Sequence, residues 1–347
     1  MPAVGVTEDF FAIGGHSLLA VRLMARMKEV LGRTVPLPVL FEQPTIAALA
    51  LAIQAEHPDT AETPASPLVP IQTKGDRPPF FAIHPVGGTV FCYYLLAQKL
   101  GKDQPFYGLQ ALGGFNSAAE PLGSIEAMAA AYLKEMRAVQ PQGPYRLGGW
   151  SSGGHIALEV AQQLRAIGET VEVLAMFDTI SSTLLRDADG TSHEVAMKKL
   201  LLEEPDEDKV AAVMAWSDVG GEIEDGIAML GDVQALWAKG LERAKAMPHF
   251  PPNAGEVELR RHGLLVARSL RAGLRYEAKP YAGSIAVFAT RESLTEFSDP
   301  ALGWRSLAGG GVTIHPVEGG HLTLMDTPFV ETLAERLGPL LGGGEKT

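Results

Sequence analysis

The chain has 347 residues, 46% hydrophobic and 20% charged, enough for one large domain with a sizeable core and a small second unit. Its formal net charge of −12, with no Lys/Arg cluster, argues against a nucleic-acid partner. The single cysteine, Cys92, allows no internal disulfide, no apolar run approaches the ~18 residues of a membrane span, and no basic-then-apolar leader is present, so a soluble cytoplasmic protein with no membrane partner is expected.

The N-terminal segment reads as helical. Leu18, Val21, Met24, Met27 and Leu31 recur at helical spacing, and Pro44 to Ala55 suggests a second short helix. His57 to Pro70 carries four prolines among small and acidic residues, the composition of an extended tether. It divides the chain into a small all-α unit, 1–56, a linker, 57–70, and a large unit, 71–347. In the large unit, candidate strands at Phe80–His84, Pro105–Leu109, Tyr145–Gly149, Val171–Phe177, Ser284–Ala289 and Val312–Val317 alternate with helices such as Ser124–Gln140 and Ser152–Ile167. Such alternation predicts an α/β, doubly wound, mostly parallel sheet. It breaks between about Ser182 and Arg260, where charged, helix-rich sequence has no strand signal. An insertion there would lie over the open end of the sheet as a lid (about 182–260); the alternative is a solvated helical excursion.

Gly149-Trp150-Ser151-Ser152-Gly153 is a Gly-x-Ser-x-Gly element between a strand and a helix. A sharp turn of this kind needs small residues two positions either side of the serine, which selects Ser151 over Ser152, since Trp150 would then fill a small position. A serine hydroxyl is a weak nucleophile until a base takes its proton. Among nine histidines, His321 follows the last strand in a Gly-Gly loop, whereas His155 sits on the helix after Ser151 and reads as a packed residue. Asp178 ends the strand after the Ser151 helix and could orient an imidazole. Glu292, Glu296 and Asp299 are rival acids after the next strand. Ser, Asp, His in that order is the α/β-hydrolase arrangement. An oxyanion site needs two preorganised N–H groups; Ser152 and Val86, the latter in the loop His84-Pro85-Val86-Gly87-Gly88, are the candidates.

These residues resemble the terminal thioesterase domain of non-ribosomal peptide synthetases over about Pro79 to Leu341. The motifs are Phe81-Ala-Ile-His-Pro-Val-Gly-Gly88, Gln104-Pro-Phe-Tyr-Gly-Leu-Gln110, Tyr145-Arg-Leu-Gly-Gly-Trp-Ser151, Tyr281-Ala-Gly283, Gly303-Trp304 and Gly320-His321. The resemblance implies Ser151, Asp178 and His321 as triad, Val86 and Ser152 as oxyanion donors, and release of a carrier-tethered peptidyl or polyketide-peptide acyl chain by hydrolysis or cyclisation, with upstream synthetase modules as partners. Asp9-Phe10-Phe11-x-x-Gly14-Gly15-His16-Ser17-Leu18 is similar to the attachment motif of a peptidyl carrier protein. It implies phosphopantetheine on Ser17, at a helix N-terminus that favours a phosphodiester, and a phosphopantetheinyl transferase as partner. No metal-ligand spacing is evident. A carrier is a four-helix unit whose first long helix should precede Asp9, yet eight residues do. A truncated product, a misassigned start or a fragment is expected, with residues 1–54 loosely packed and poorly loaded. The alternatives are a stand-alone carboxylesterase or lipase of the same fold, and a non-catalytic acyl-binding module.

Overall fold

The computed structural model describes residues 4–11, 13, 15, 17–32, 39–40, 44–54, 66–113, 119–187, 192–247 and 255–342. Gly14 and His16 of the attachment motif, most of the expected tether, and His249 lie outside them.

A seven-stranded sheet organises the chain. Its strands are β1 (Leu68–Gln72), β2 (Phe80–Ile83), β3 (Phe106–Leu109), β4 (Tyr145–Trp150), β5 (Val171–Phe177), β6 (Ile285–Thr290) and β7 (Val312–Val317), in the spatial order β1-β3-β2-β4-β5-β6-β7. Every neighbouring pair is parallel except β1–β3. Side chains alternate across the sheet as strand geometry requires. Phe80, Ala82, Val173, Ala175 and Phe177 join one core, whereas Phe81, Ile83, Leu174 and Met176 join the other. Both faces are thus covered, which explains why these strands read as continuous apolar runs. One face is capped by α3 (Tyr94–Leu100) and α13 (Phe329–Leu337), through Leu96, Leu333 and Leu337. The other is capped by α4 (Ile125–Val139) and α5 (Ser152–Ala166), through Tyr132, Met136, Ile156 and Leu164.

Two boundaries differ from expectation. Strand β1 begins at Leu68, inside the proline-rich stretch read as tether through Pro70. Proline is tolerated there because β1 is an edge strand, irregular between Pro70 and Gln72, where a missing N–H costs no ladder bond. The helical insertion between β5 and β6 comprises α6 (Ser182–Asp187), α7 (Ser192–Glu203), α8 (Glu207–Asp218), α9 (Ile223–Ala228), α10 (Val233–Ala246) and α11 (Glu256–Arg275). Its last helix runs to Arg275 rather than ending near Arg260. Charge at Arg260 and Arg261 masks the apolar side of α11, where Leu259, Leu265, Val266 and Ala267 are buried. The insertion has its own core around Trp237, Val213 and Leu236, and Val86 of the loop after β2 packs against it. A Cβ on Gly88 would meet the Leu265 side chain at 2.6 Å. The insertion therefore rests on that loop.

The N-terminal part contributes α1 (Ser17–Leu31) and α2 (Ile46–Gln54). The sequence suggests apolar faces without a partner here. Val6, Ile13, Val30 and Leu51 are indeed exposed, but Phe11, Ala20, Met24, Leu40 and Leu49 are buried. Phe11 stacks on Tyr94 of α3, ring centroids 3.7 Å apart, which joins the two units in one apolar cluster. Among the described residues no helix is long and apolar enough to cross a membrane.

Candidate active site

Ser151 sits in the turn between β4 and α5 at φ 56°, ψ −127°, a conformation strained by about 1–3 kcal/mol for a residue with a Cβ. Close packing holds it there. A Cβ on Gly149 would meet the backbone of Gly153 and Gly154, the latter nitrogen at 2.7 Å, and a Cβ on Gly153 would meet the Ile83 and His84 carbonyl oxygens, the latter at 2.6 Å. Both glycines of the Gly-x-Ser-x-Gly element are therefore required by contact as well as by turn geometry. Thr179 donates its hydroxyl to the Ser151 carbonyl at 2.9 Å. Tyr93 ties the elbow to β2: its hydroxyl donates to the Ile83 carbonyl at 2.6 Å and accepts the Trp150 N–H at 2.9 Å.

His321, in the loop after β7, approaches the elbow with Nε2 3.1 Å from Ser151 Oγ. Its Nδ1 lies 2.9 Å from Asp178 Oδ2. Asp178 is fully buried at the end of β5, also at positive φ (48°), and donates its N–H to the Phe288 carbonyl of β6 at 2.8 Å. Three further donors surround its carboxylate. The Thr290 N–H reaches Oδ1 at 2.8 Å, and the Thr290 and Ser293 hydroxyls reach Oδ2 at 3.1 and 2.9 Å. Burial alone would raise the carboxyl pKa, but the hydrogen bonds from His321, Thr290 and Ser293 outweigh it and hold Asp178 below the usual carboxylate range.

Three side chains separated by 170 positions thus form one hydrogen-bonded line. Of the rival acids, Glu292 accepts the backbone N–H of His321 at 2.7 Å and so anchors the loop, and Asp299 accepts the Ala301 and Gly303 N–H groups. Neither carboxylate is hydrogen-bonded to the imidazole. His155 is buried against Trp304 and Tyr276, ring centroids 5.7 and 6.4 Å away, as a packed residue. The Ser152 hydroxyl is buried without a hydrogen-bond partner among the described residues, and it does not share His321. Thr290 and Ser293 have no pattern that singles them out in the sequence. The only available signal is their position, Thr-x-x-Ser at the start of the short helix α12 (Arg291–Glu296), where Thr290 caps Ser293.

Val86 and Ser152 stand on the two segments that meet beside Ser151. Val86 lies in the turn closed by the Gly88 N–H donating to the Pro85 carbonyl at 2.9 Å, and Ser152 opens α5. At the other end of the chain, the backbone of Ser17 opens the 15-residue helix α1, whose first-turn N–H groups have no intrahelical acceptor. That position suits the phosphodiester of a phosphopantetheine arm.

Residues 78–341 match the thioesterase domain family, and residues 1–53 match the phosphopantetheine attachment site family. A dimodular nonribosomal peptide synthase of Bacillus subtilis (strain 168) is 42% identical over 201 residues, 58% of this chain. A probable non-canonical nonribosomal peptide synthetase, CymA of Salinispora arenicola (strain CNS-205), is 31% identical over 340 residues, 97% of this chain. The chain spans only 8% and 4% of the length of those two proteins. Among solved structures, a holo four-domain nonribosomal peptide synthetase bound to AMP and glycine superposes with a TM-score of 0.66 at 27% identity, over 97% of this chain and 24% of that one. The Vlm2 thioesterase domain bound with a dodecadepsipeptide shares the fold, with a TM-score of 0.56 at 24% identity over 80% of this chain and 98% of that one. Sheet order, elbow and match extent agree: the chain belongs to the thioesterase domain family, preceded by a phosphopantetheine-attachment region.

Proposed function

We propose that the chain is a chain-releasing thioesterase of nonribosomal peptide synthesis, acting on an acyl group delivered by its own carrier region. The observation that supports this most directly is the line Ser151 Oγ, His321 Nε2, His321 Nδ1, Asp178 Oδ2, with contacts of 3.1 and 2.9 Å. Phosphopantetheine on Ser17 would supply the acyl group as a thioester, which is more readily attacked than an ester or amide. Ser151 Oγ attacks the thioester carbonyl while His321 Nε2 takes its proton. Asp178 fixes the Nδ1–H tautomer and stabilises the imidazolium. The Val86 and Ser152 N–H groups hold the tetrahedral oxyanion, a role worth about 10²–10³ in rate per donor. His321 then returns the proton to the departing sulfur, leaving an ester on Ser151. In the second half, His321 takes a proton from water or from an amine or hydroxyl of the acyl chain, that nucleophile displaces Ser151 Oγ, and His321 reprotonates it.

The test is intact mass spectrometry of the full chain with a synthetic peptidyl-pantetheine thioester. The wild type should gain the acyl mass transiently and release free acid or macrocycle, whereas Ser151→Ala should do neither. Wild type that never acquires the acyl group would overturn the reading.

A further inference from the structure

We propose that His84 is a positioning residue for the oxyanion site, fixing through the Pro85 carbonyl the direction in which the Val86 N–H points. The inference rests on the acyl-transfer reading of Ser151 and names a group that the reading does not otherwise use.

His84 follows β2 and is fully buried. Its Nδ1 lies 2.7 Å from the Pro85 carbonyl oxygen, and its Nε2 lies 2.7 Å from the Tyr132 hydroxyl on α4. A carbonyl oxygen can only accept, so Nδ1 carries the proton. In the neutral ring Nε2 is then an acceptor and Tyr132 donates to it. The two rings meet edge to face, 83° between planes, which suits in-plane donation to Nε2. Burial lowers the imidazole pKa to about 4, opposed by the Pro85 bond, so the ring is neutral at ordinary pH.

The Pro85 oxygen accepts a second bond, from the Gly88 N–H at 2.9 Å. Two donors on one carbonyl fix its direction. The Pro85 carbonyl and the Val86 N–H belong to one planar peptide unit, which is trans, the cis bonds being Gly143–Pro144 and Thr327–Pro328. In a trans peptide the C=O and N–H point oppositely, so locking the oxygen aims the hydrogen. The Val86 side chain is held from the other side by the core of the helical insertion. The His84 carbonyl itself lies against Gly153, where no Cβ fits, which keeps the turn beside the first residues of α5. His84 thus touches neither substrate nor Ser151, and acts through the peptide that follows it.

The experiment compares full-length wild type, His84→Leu, His84→Asn and Tyr132→Phe in single-turnover acylation by the same thioester. His84→Leu should lower the saturating acylation rate constant about 10²-fold with the half-saturating thioester concentration unchanged, the signature of an interaction made in the transition state. His84→Asn, whose amide N–H occupies the place of Nδ1–H, should recover most of that loss, and Tyr132→Phe should fall between. The ring nitrogens of ¹⁵N-labelled wild type should report a neutral Nδ1–H tautomer for His84, irrespective of turnover. An active wild type with His84→Leu at the wild-type rate, equal loss in the Asn and Leu variants, or an Nε2–H tautomer each overturns the role of His84. A wild type that does not react with the thioester removes the acyl-transfer reading, and this role with it.

Discussion

Replacing Asp178 with asparagine keeps the shape of the site and inverts its hydrogen-bond logic. In the native protein all four groups around the carboxylate donate to it: the Thr290 N–H, the Thr290 and Ser293 hydroxyls, and His321 Nδ1. The Thr290 N–H has no other option, so the amide oxygen of the asparagine must take the Oδ1 position. Its NH₂ then faces Nδ1, which has to accept. His321 is thereby forced into the Nε2–H tautomer and presents a proton, instead of a lone pair, to Ser151 Oγ. In a serine protease the corresponding change lowers kcat by about 10⁴, equivalent to about 5 kcal/mol of barrier. The same loss is expected here in acyl-enzyme formation, followed by quenched-flow mass spectrometry. Loss of a charge-assisted acceptor for two hydroxyls should also reduce stability by about 1–3 kcal/mol. A folded Asp178→Asn protein that acylates within tenfold of the wild type would refute the assignment of Asp178 as the group that sets the tautomer.

Two further outcomes follow from burial and close contact. His84 has a folded pKa of about 4 against 6.5 unfolded, so below 6.5 the unfolded chain binds a proton that the folded chain refuses, and stability falls with pH across that window. The loss between about pH 7 and about pH 5 should be about 2 kcal/mol in urea titrations, and it should shrink in His84→Asn; parallel pH profiles for the two proteins would contradict it. Asp178 and Glu207, whose pKa values are also held low, have shifts of the same sign, and their stabilisation is lost at lower pH, as pH falls through the ordinary carboxylate range. Gly153→Ala places a methyl group against the Ile83 and His84 carbonyls, and should cost about 1–3 kcal/mol; an unchanged thermal midpoint would show that the elbow can relax.

Much of the site is legible in the sequence because its parts obey strong local constraints. The glycines around Ser151 are dictated by contact with the neighbouring backbone, and Asp178 and His321 each close an element whose apolar strand is plain. Thr290, Ser293 and Glu292 were not legible. A hydroxyl or carboxylate that solvates a partner more than 25 positions away leaves no periodicity, and Glu292 reads equally well as a rival to Asp178. The importance of His84 was hidden for a related reason. Its motif draws attention to the glycines of the loop, whereas its hydrogen bond to its own neighbour and to Tyr132 depends on how α4 crosses the sheet. Strand β1 was obscured by Pro67 and Pro70, since their composition signals a linker and only the edge position reconciles them with a strand.

The stacked rings of Phe11 and Tyr94 are one part of the apolar cluster that links the N-terminal helices to α3, alongside Phe10, Met24 and Leu49. An aromatic pair contributes about 0.5–1.5 kcal/mol beyond the area it covers, a roughly two- to tenfold change in an equilibrium constant. Under the proposed function, a contact of that size would help hold the carrier region to the thioesterase unit without fixing it there.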